Sequence, residues 1–395
     1  MVFFDELMTG FSSSDKTKAA IRARFLPVGS LCNAAPDDIA TVIFSSGSTD
    51  IPKGVQLTHF NVLSNLRATA QVFPVNETDC LIGALPLFHS FGYCCTMWFP
   101  LLKAFKAVYH YSPMDAKVIG ELAEKHRGTF LVSTPTFCAG YLRKVTKEQF
   151  AHLRWVIVAA EKMREAVAGG FREKYGVEVM EGYGCTEMSP VISLNVPDFI
   201  DPINNQKGRK PGTVGCPIPG TVVKVVDPDT FQPLEAGAEG LLLVKSPSLM
   251  AGYLKQPELT SRVMYNGFYI TGDIGVMDDD GFLKITDRLA RFSKIGGEMV
   301  PHLKVEEALH AVLGDALCHV ASIPDDTRGE RLVVLYSGSD MAPVELWKKL
   351  SESELPALWI PKKENYYAIE AIPSLGSGKT DLRGAKKLAA TLAEQ

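Results

Sequence analysis

From residue 40 onward, short unbroken apolar runs alternate with stretches whose apolar residues recur every three or four positions. Residues 40–44, 80–85, 129–132, 153–159 and 177–180 show the first pattern and read as strands. Residues 58–70, 114–126 and 146–153 show the second and read as helices. A strand that is apolar at successive positions is buried on both faces, so the alternation predicts an α/β fold with a largely parallel sheet. Residues 1–30 read as a helical lead-in, with Phe3, Phe4, Leu7 and Met8 followed by a basic stretch at 16–24 that ends at Pro27.

The texture changes near residue 211. Glycine and proline punctuate short strand-like runs at 221–226, 240–244, 267–270 and 282–285, the pattern of a small twisted antiparallel or barrel-like subdomain. After Arg288 a helix at 304–312, strands at 318–323 and 331–336, and a helix at 343–350 predict a small α+β unit. The expected organisation is a lead-in over 1–35, a large domain over 36–287 and a small C-terminal domain over 288–395. No internal repeat is present.

Composition narrows the class. The chain has 395 residues, 46% of them hydrophobic and 22% charged, which is ordinary globular usage. Its net charge of −4 gives no electrostatic reason to expect nucleic acid as a partner. No apolar run reaches the roughly 18 residues that span a bilayer. The longest candidate, 91–102, is followed by Lys103, and the first residues lack a signal-peptide pattern. Eight cysteines, at 32, 80, 94, 95, 138, 185, 216 and 318, show no CxxC pair or metal-ligand spacing and read as reduced thiols of a cytoplasmic protein, packed as small apolar fillers.

Four stretches carry candidate chemistry. In Ser46-Gly47-Ser48-Thr49-Asp50-Ile51-Pro52-Lys53-Gly54 a hydroxyl- and glycine-rich loop leaves a strand. Its N–H and hydroxyl groups can wrap phosphate oxygens and Lys53 can neutralise them, although a polar surface turn has the same composition. In Gly182-Tyr183-Gly184-Cys185-Thr186-Glu187 the glycines allow a ligand close to the backbone, Tyr183 offers a stacking face and Glu187 a hard oxygen for Mg²⁺. A strand-ending turn with a solvated glutamate reads equally well. Thr271-Gly272-Asp273, with Asp287-Arg288 beyond a turn at Gly281, suits ribose hydroxyls or a purely structural turn. Gly376-Ser377-Gly378-Lys379-Thr380 looks like the end of a Walker A loop, but position 373 is Pro rather than the required glycine and only sixteen residues follow Lys379.

Together and in this order the four stretches resemble the adenylate-forming superfamily of acyl- and aryl-CoA synthetases, peptide adenylation domains and luciferases. The likeness covers nearly the whole chain from about residue 36. It implies a phosphate loop at Ser46, Gly47, Ser48, Thr49 and Lys53, and adenine, α-phosphate and Mg²⁺ contacts at Gly182, Tyr183, Gly184, Thr186 and Glu187. It further implies ribose contacts at Asp273 and Arg288, a hinge at Arg291 and a catalytic lysine at Lys379. Leu85-Pro86-Leu87-Phe88-His89-Ser90-Phe91-Gly92 matches the acyl-pocket segment, which makes His89, Phe91, Gly92 and Gly182 candidate pocket residues. Without that motif His89 would read as a satisfied core histidine. Trp98, Phe99, Leu101 and Leu102 read as an acyl-tunnel stripe or as plain core.

A narrower resemblance, at 294–300, 373–379 and the lead-in, is to the ligase half of bacterial bifunctional acyl-ACP synthetase/2-acylglycerophosphoethanolamine acyltransferases. It implies ATP and Mg²⁺ as cofactors, a fatty acid as substrate, acyl carrier protein or CoA as thiol acceptor, and a place in fatty-acid and phospholipid metabolism. It also leaves room for contact with the inner face of the bacterial membrane through parts absent from this chain. The implied chemistry is adenylation of the acid with release of pyrophosphate, then thioester formation after the small, mobile C-terminal domain reorients. The run Arg288, Arg291, Lys294 reads as a face for an acidic carrier protein or as a solvated hinge. Two departures stand out: Asp50 replaces the usual glycine of the phosphate loop, and the large domain is N-terminally shortened relative to the family. An acyl-CoA ligase, another acid-adenylating enzyme, and a non-catalytic nucleotide-binding module or inactive fragment are the competing readings.

Overall fold

The computed structural model describes residues 11–25, 33–45, 53–200, 205–296, 298–314, 316–325, 327–374 and 380–394. Its centre is a seven-stranded sheet in the order β11-β8-β7-β6-β5-β3-β4. The strands are β3 (Cys80–Gly83), β4 (Lys106–Tyr109), β5 (Phe130–Ser133), β6 (Trp155–Val158), β7 (Val179–Gly184), β8 (Val191–Leu194) and β11 (Cys216–Pro217). The five from β4 to β7 run parallel, and β8 and β11 close one side antiparallel.

The predicted parallel sheet is therefore present, and its unbroken apolar runs have the expected cause. Leu81, Phe130, Val132 and Ile157 enter one core while Cys80, Ile82, Leu131, Val156 and Val158 enter another on the opposite face. Alternating side chains of one strand thus fill two cores, as a sheet covered on both sides requires. On the second face lie the crossover helices α4 (Ala116–His126), α5 (Pro135–Lys144) and α6 (Glu165–Tyr175), whose Ile119, Tyr141, Phe171 and Tyr175 are buried there. On the first lie α2 (His59–Val72) and a π-helical turn, Gly92–Trp98, which runs into α3 (Phe99–Lys103).

Three further sheets surround this unit. β1 (Ile39–Ser45), β2 (Lys53–Thr58) and β14 (Gly252–Tyr253) form an antiparallel trio. β12 (Val222–Val226), β13 (Glu239–Lys245), β15 (Met264–Tyr265), β16 (Phe268–Met277) and β17 (Leu283–Arg288) form the antiparallel subdomain predicted from the glycine-rich region. The C-terminal sheet contains β18 (Phe292–Ile295), β19 (Glu298–Pro301), β20 (Leu317–Asp325), β21 (Gly329–Ser337) and β22 (Tyr366–Ala368). Helices α8 (His302–Leu313) and α9 (Pro343–Ser351) cover one of its faces and α10 (Leu382–Ala393) the other. A short pair, β9 (Phe199–Ile200) with β10 (Asn205–Gln206), and helix α7 (Pro257–Arg262) complete the larger part. Helix α1 (Ser13–Phe25) lies in the predicted lead-in. Among the described residues no helix is long and apolar enough to cross a membrane.

One element differs in kind from expectation. Residues 146–153 form successive turns rather than a helix, and the helix of this region is α5. The Thr146 N–H donates to Gln149 Oε1 at 3.0 Å and the Gln149 N–H to Thr146 Oγ1 at 3.4 Å. These are the reciprocal bonds of a helix-starting capping box. Here they close a single turn, because Phe150 and Leu153 are drawn into the core directly before β6 begins.

Helix α2 starts at a genuine capping box, with Thr58 Oγ1 accepting from the Asn61 N–H and Asn61 Oδ1 accepting from the Thr58 N–H. One turn further, the fully buried Asn65 donates from Nδ2 to the carbonyls of Met188, at 3.0 Å, and Val191, at 2.7 Å. Its Oδ1 accepts from the Val191 N–H at 3.2 Å. Asn65 thereby ties α2 to the turn between β7 and β8. Asn65→Ala leaves these backbone groups unpaired and is expected to lower unfolding stability by about 2–3 kcal/mol, measured by urea denaturation.

Candidate functional site

A parallel sheet leaves ligand-accessible space at the carboxyl ends of its strands. Two of the sequence-predicted stretches sit there. The His89–Ser90 segment follows β3, and the Thr186–Glu187 turn follows β7, with β5 and β6 between the two strands. They meet directly: Ser90 Oγ lies 3.0 Å from Thr186 Oγ1, and both side chains are buried. Ser90, present in the sequence only as one position of the acyl-pocket segment, links that segment to the phosphate segment through its hydroxyl.

Glu187 is only 8% exposed. Its Oε1 accepts from the Tyr253 hydroxyl at 2.8 Å, and its backbone carbonyl accepts from the Met250 N–H at 2.8 Å. No basic side chain among the described residues forms an ion pair with it. Lys53, the first residue of β2, sets its ammonium 5.4 Å from the centroid of the Tyr253 ring and likewise forms no ion pair among the described residues. Tyr253 was missed at the sequence level, because a tyrosine in a short glycine-flanked strand has no local chemical signature. Ser46, Gly47, Ser48 and Thr49, with Asp50, lie outside the described residues, as does Lys379. Their chain neighbours Ser45 and Lys53 are paired across β1 and β2.

Glycine is required in β7 for packing. A Cβ at Gly184 would stand 1.9 Å from the Pro190 carbonyl oxygen, and one at Gly182 would touch Leu194 at 3.0 Å. At Gly184 the obstacle is the backbone of the turn before β8, whereas at Gly182 the nearest atom is the far end of a leucine side chain. At Gly272 the reason differs: a Cβ would meet nothing within 4 Å, but φ is +73°, a left-handed conformation that glycine adopts without strain.

Beyond Gly272, the Asp273 N–H donates to Thr271 Oγ1 at 3.0 Å, which fixes the carboxylate at a kink in β16. Asp273 is buried, and its Oδ1 pairs with Arg288 Nε at 3.0 Å while the Tyr183 hydroxyl donates to Oδ2. Tyr183 therefore contributes a polar link as well as a ring. Burial pushes the Asp273 carboxyl upward, and Arg288 and Tyr183 oppose the shift. Burial together with Asp273 pushes the Tyr183 phenol well up; burial with Glu187 and Asp273 does the same to the Cys185 thiol. Tyr253 and Tyr269 are also raised, chiefly by burial. All three phenols stay neutral, and Tyr183 and Tyr253 donate to Asp273 and Glu187. The cysteines among the described residues are free, and none is acidified.

The expected acyl-pocket residues divide. Phe91 is buried and Gly92 opens the π-helical turn. His89 is exposed and accepts the Phe91 N–H on Nδ1 at 3.2 Å, so it is not the satisfied core histidine that its apolar surroundings suggested. The stripe beyond is mixed: Phe99 is buried, whereas Leu101 is 64% exposed.

The basic run divides as well. Arg288 is committed to Asp273, and Arg291 is paired with Glu306 and lies 3.8 Å from Asp287. Glu306 also accepts from His319 Nδ1 at 2.9 Å and from the Val320 N–H at 2.8 Å. Arg291 is largely buried in its pairing, whereas Arg288 keeps an exposed side chain although it is paired with Asp273, and only Lys294 of the three is both exposed and without an acidic ion-pair partner among the described residues. The Leu303 N–H donates to Asp287 Oδ2 at 3.1 Å, and Lys162 pairs with Glu307, so α8 is tied to both β17 and the β6–α6 connection.

Among the described residues no three His, Cys, Asp or Glu side chains converge as a metal cage. Mg²⁺ that travels with a nucleotide does not need one, since one or two carboxylates and the phosphates supply its ligands. Glu187, a buried carboxylate with one oxygen held by Tyr253 and no cationic partner among the described residues, fits that need.

The family of AMP-binding enzymes matches residues 7–254. The chain is 31% identical over 351 residues to a long-chain-fatty-acid–CoA ligase of Bacillus subtilis strain 168, covering 87% of this chain and 60% of that one. It is 31% identical over 373 residues to 4-coumarate-CoA ligase 1 of Narcissus pseudonarcissus, covering 91% and 66%. The chain thus spans about two thirds or less of the length of these relatives. In three dimensions it resembles ATP-bound MatB from Rhodopseudomonas palustris, with a TM-score of 0.79, 26% identity, and coverage of 91% of this chain and 70% of that one. It also resembles o-succinylbenzoate CoA synthetase from Bacillus subtilis in complex with its acyl-adenylate intermediate, with a TM-score of 0.77, 25% identity, and coverage of 89% and 69%.

The buried cluster beside Arg291 sets an acid limit on stability. Burial first, then Arg291, pushes the His302 imidazole down to about 3. Burial opposes ionisation of Glu306, but His319, Arg291 and the Val320 N–H outweigh it and hold the carboxyl at about 2. The unfolded chain therefore binds a proton at His302 below about pH 6.5 that the folded chain refuses until about 3. At Glu306 the corresponding window runs from 4.5 down to about 2. In both windows the unfolded state holds more protons, so stability falls as pH falls. Urea unfolding at a series of pH values is expected to show the loss begin below about pH 6.5, and His302→Gln to remove its upper part, above about pH 5.

Proposed function

Because this chain belongs to the AMP-binding enzymes, we propose that it activates a carboxylic acid with ATP and Mg²⁺ and passes the acyl group to a thiol. The acid is a fatty acid, and the acceptor is the phosphopantetheine thiol that acyl carrier protein and CoA share. A carboxylate is a poor acyl donor because its leaving group would be oxide. Attack of a carboxylate oxygen on the α-phosphorus forms one P–O bond and breaks the bond to pyrophosphate, which leaves a mixed anhydride. A thiolate then adds to the carbonyl carbon and AMP departs with the electron pair of the broken C–O bond.

The observation that carries this reading is the meeting of Lys53, Thr186 and Glu187 around Tyr253 and Ser90, at the carboxyl ends of the parallel strands. In this reading the Thr186 hydroxyl and Lys53 ammonium bind phosphate oxygens. Glu187 holds Mg²⁺, which when bound neutralises phosphate charge and orients the leaving group. Asp273, carried with Arg288 at the kink of β16, takes the ribose hydroxyls. Lys379 bridges carboxylate and phosphate in the first step only, and the small domain turns about Arg291 before the second. His89, Phe91, Gly92 and Gly182 line the acid side. Relatives named as ligases for long-chain fatty acids and for 4-coumarate support an acid–thiol ligase. The likeness of residues 294–300 and 373–379 to acyl-ACP synthetases favours the carrier protein over CoA.

ATP–pyrophosphate exchange measured with a panel of fatty and aromatic acids tests the first step. Exchange is expected with a long-chain fatty acid, and Lys379→Ala is expected to lower it at least about 100-fold while sparing thioester formation from supplied acyl adenylate. Equal loss of both steps removes Lys379 from the assigned role. ATP binding without exchange for any acid favours a nucleotide-binding module. Parallel assays with CoA and with the phosphopantetheine form of acyl carrier protein decide the acceptor.

A further inference from the structure

We infer that Tyr253 is a positioning residue that keeps Lys53 and Glu187 apart and aims them at different parts of a metal–nucleotide, the ammonium at phosphate and the carboxylate at the metal ion. The inference rests on the function proposed above and adds to it a residue outside the motifs that suggested that function. Tyr253 is itself well fixed. It lies on β14 opposite Val55 of β2, two residues from Lys53, and its N–H donates to Thr260 Oγ1 at 2.9 Å. The side chain is buried, with the hydroxyl 2.8 Å from Glu187 Oε1 and the ring face toward the Lys53 ammonium at 5.4 Å.

Lys53 and Glu187 both contact the one buried Tyr253 side chain, and opposite charges so placed tend to pair, since their attraction grows as water is excluded. A Lys53–Glu187 ion pair would cancel the cation a phosphate needs and the carboxylate a metal needs. Tyr253 offers each a weaker, uncharged substitute: a π face for the cation and one neutral donor for the carboxylate. The donor occupies Oε1 only, so Glu187 keeps acceptor capacity on Oε2. Both contacts can be given up without leaving a bare charge when the nucleotide and metal arrive.

The two halves of the role separate by substitution. Tyr253→Phe removes the hydroxyl and keeps the ring. It is expected to weaken Mg²⁺ or Mn²⁺ binding to the ATP-loaded chain about tenfold by titration calorimetry, with exchange restored by excess metal. Tyr253→Leu removes both contacts, lets Lys53 close on Glu187, and is expected to weaken metal-free ATP binding by about three- to tenfold as well. Adding Glu187→Gln to Tyr253→Leu removes the partner of that collapse and is expected to recover metal-free ATP binding.

Wild-type metal affinity in Tyr253→Phe, or no recovery in the double variant, overturns the inference. Melting temperatures of the variants separate these outcomes from misfolding. A wild-type chain that binds Mg²⁺·ATP but supports no exchange fails the proposed function and leaves these binding tests decisive for Tyr253. One that binds no ATP overturns both.

Discussion

A buried carboxylate with no ion-pair partner among the described residues is the constraint around which this structure is arranged. Glu187 is desolvated and has a single side-chain donor, Tyr253, among the described residues. An uncompensated buried charge costs several kcal/mol, and a neutral hydrogen bond offsets only part of that. Such a group persists where the surrounding structure is rigid enough to hold it, and the support is visible. Asn65 clamps the turn beyond it, Met250 holds its backbone carbonyl, and Ser189 Oγ donates to the Ser248 carbonyl at 2.8 Å. Two segments distant in sequence, α2 and the loop at 248–250, thus immobilise one short turn.

The cluster at Arg291 is the opposite solution to the same problem. There the buried carboxylate, Glu306, is met by a guanidinium, an imidazole and a backbone N–H. Both oxygens of Glu306 are met, while Arg291 Nε stands 3.8 Å from Asp287 without a hydrogen bond among the described residues, and the consequence of the cluster is stability and the tie between α8 and the end of β17. The Glu187 turn and this cluster are both buried and charged. Satisfaction separates them, which is why perturbed acidity alone would not tell a binding site from a structural brace.

The length of the relatives bears on how much of an enzyme this chain represents. It covers 60% and 66% of two CoA ligases, yet both stretches that meet at the ends of β3 and β7 lie within it. Large apolar side chains near that end, including Phe88 and Tyr111 at 80% and 88% exposure, remain open to solvent.

Much of the architecture was legible because it is written in local periodicity. Strands buried on both faces appear as unbroken apolar runs, and the antiparallel subdomain announces itself through closely spaced turns. The stretches containing Lys53, Glu187 and Asp273 were legible because each is contiguous and chemically unusual. Local pattern failed at 146–153, where a capping box that often begins a helix closes only a turn, since tertiary packing decides whether the next turn is built. It also failed at Arg288 and Arg291, which look unpaired in the sequence and find Asp273 and Glu306 fifteen positions away in each case. The sequence by itself therefore determined the elements, their α/β order and the residue types able to handle a nucleotide. Tertiary structure decided which charges are cancelled and which are kept waiting, because ion pairing and desolvation depend on distances that only the folded chain sets. Tyr253, with no motif of its own, and Ser90, one position within the acyl-pocket segment, acquire their roles from what the fold places against them.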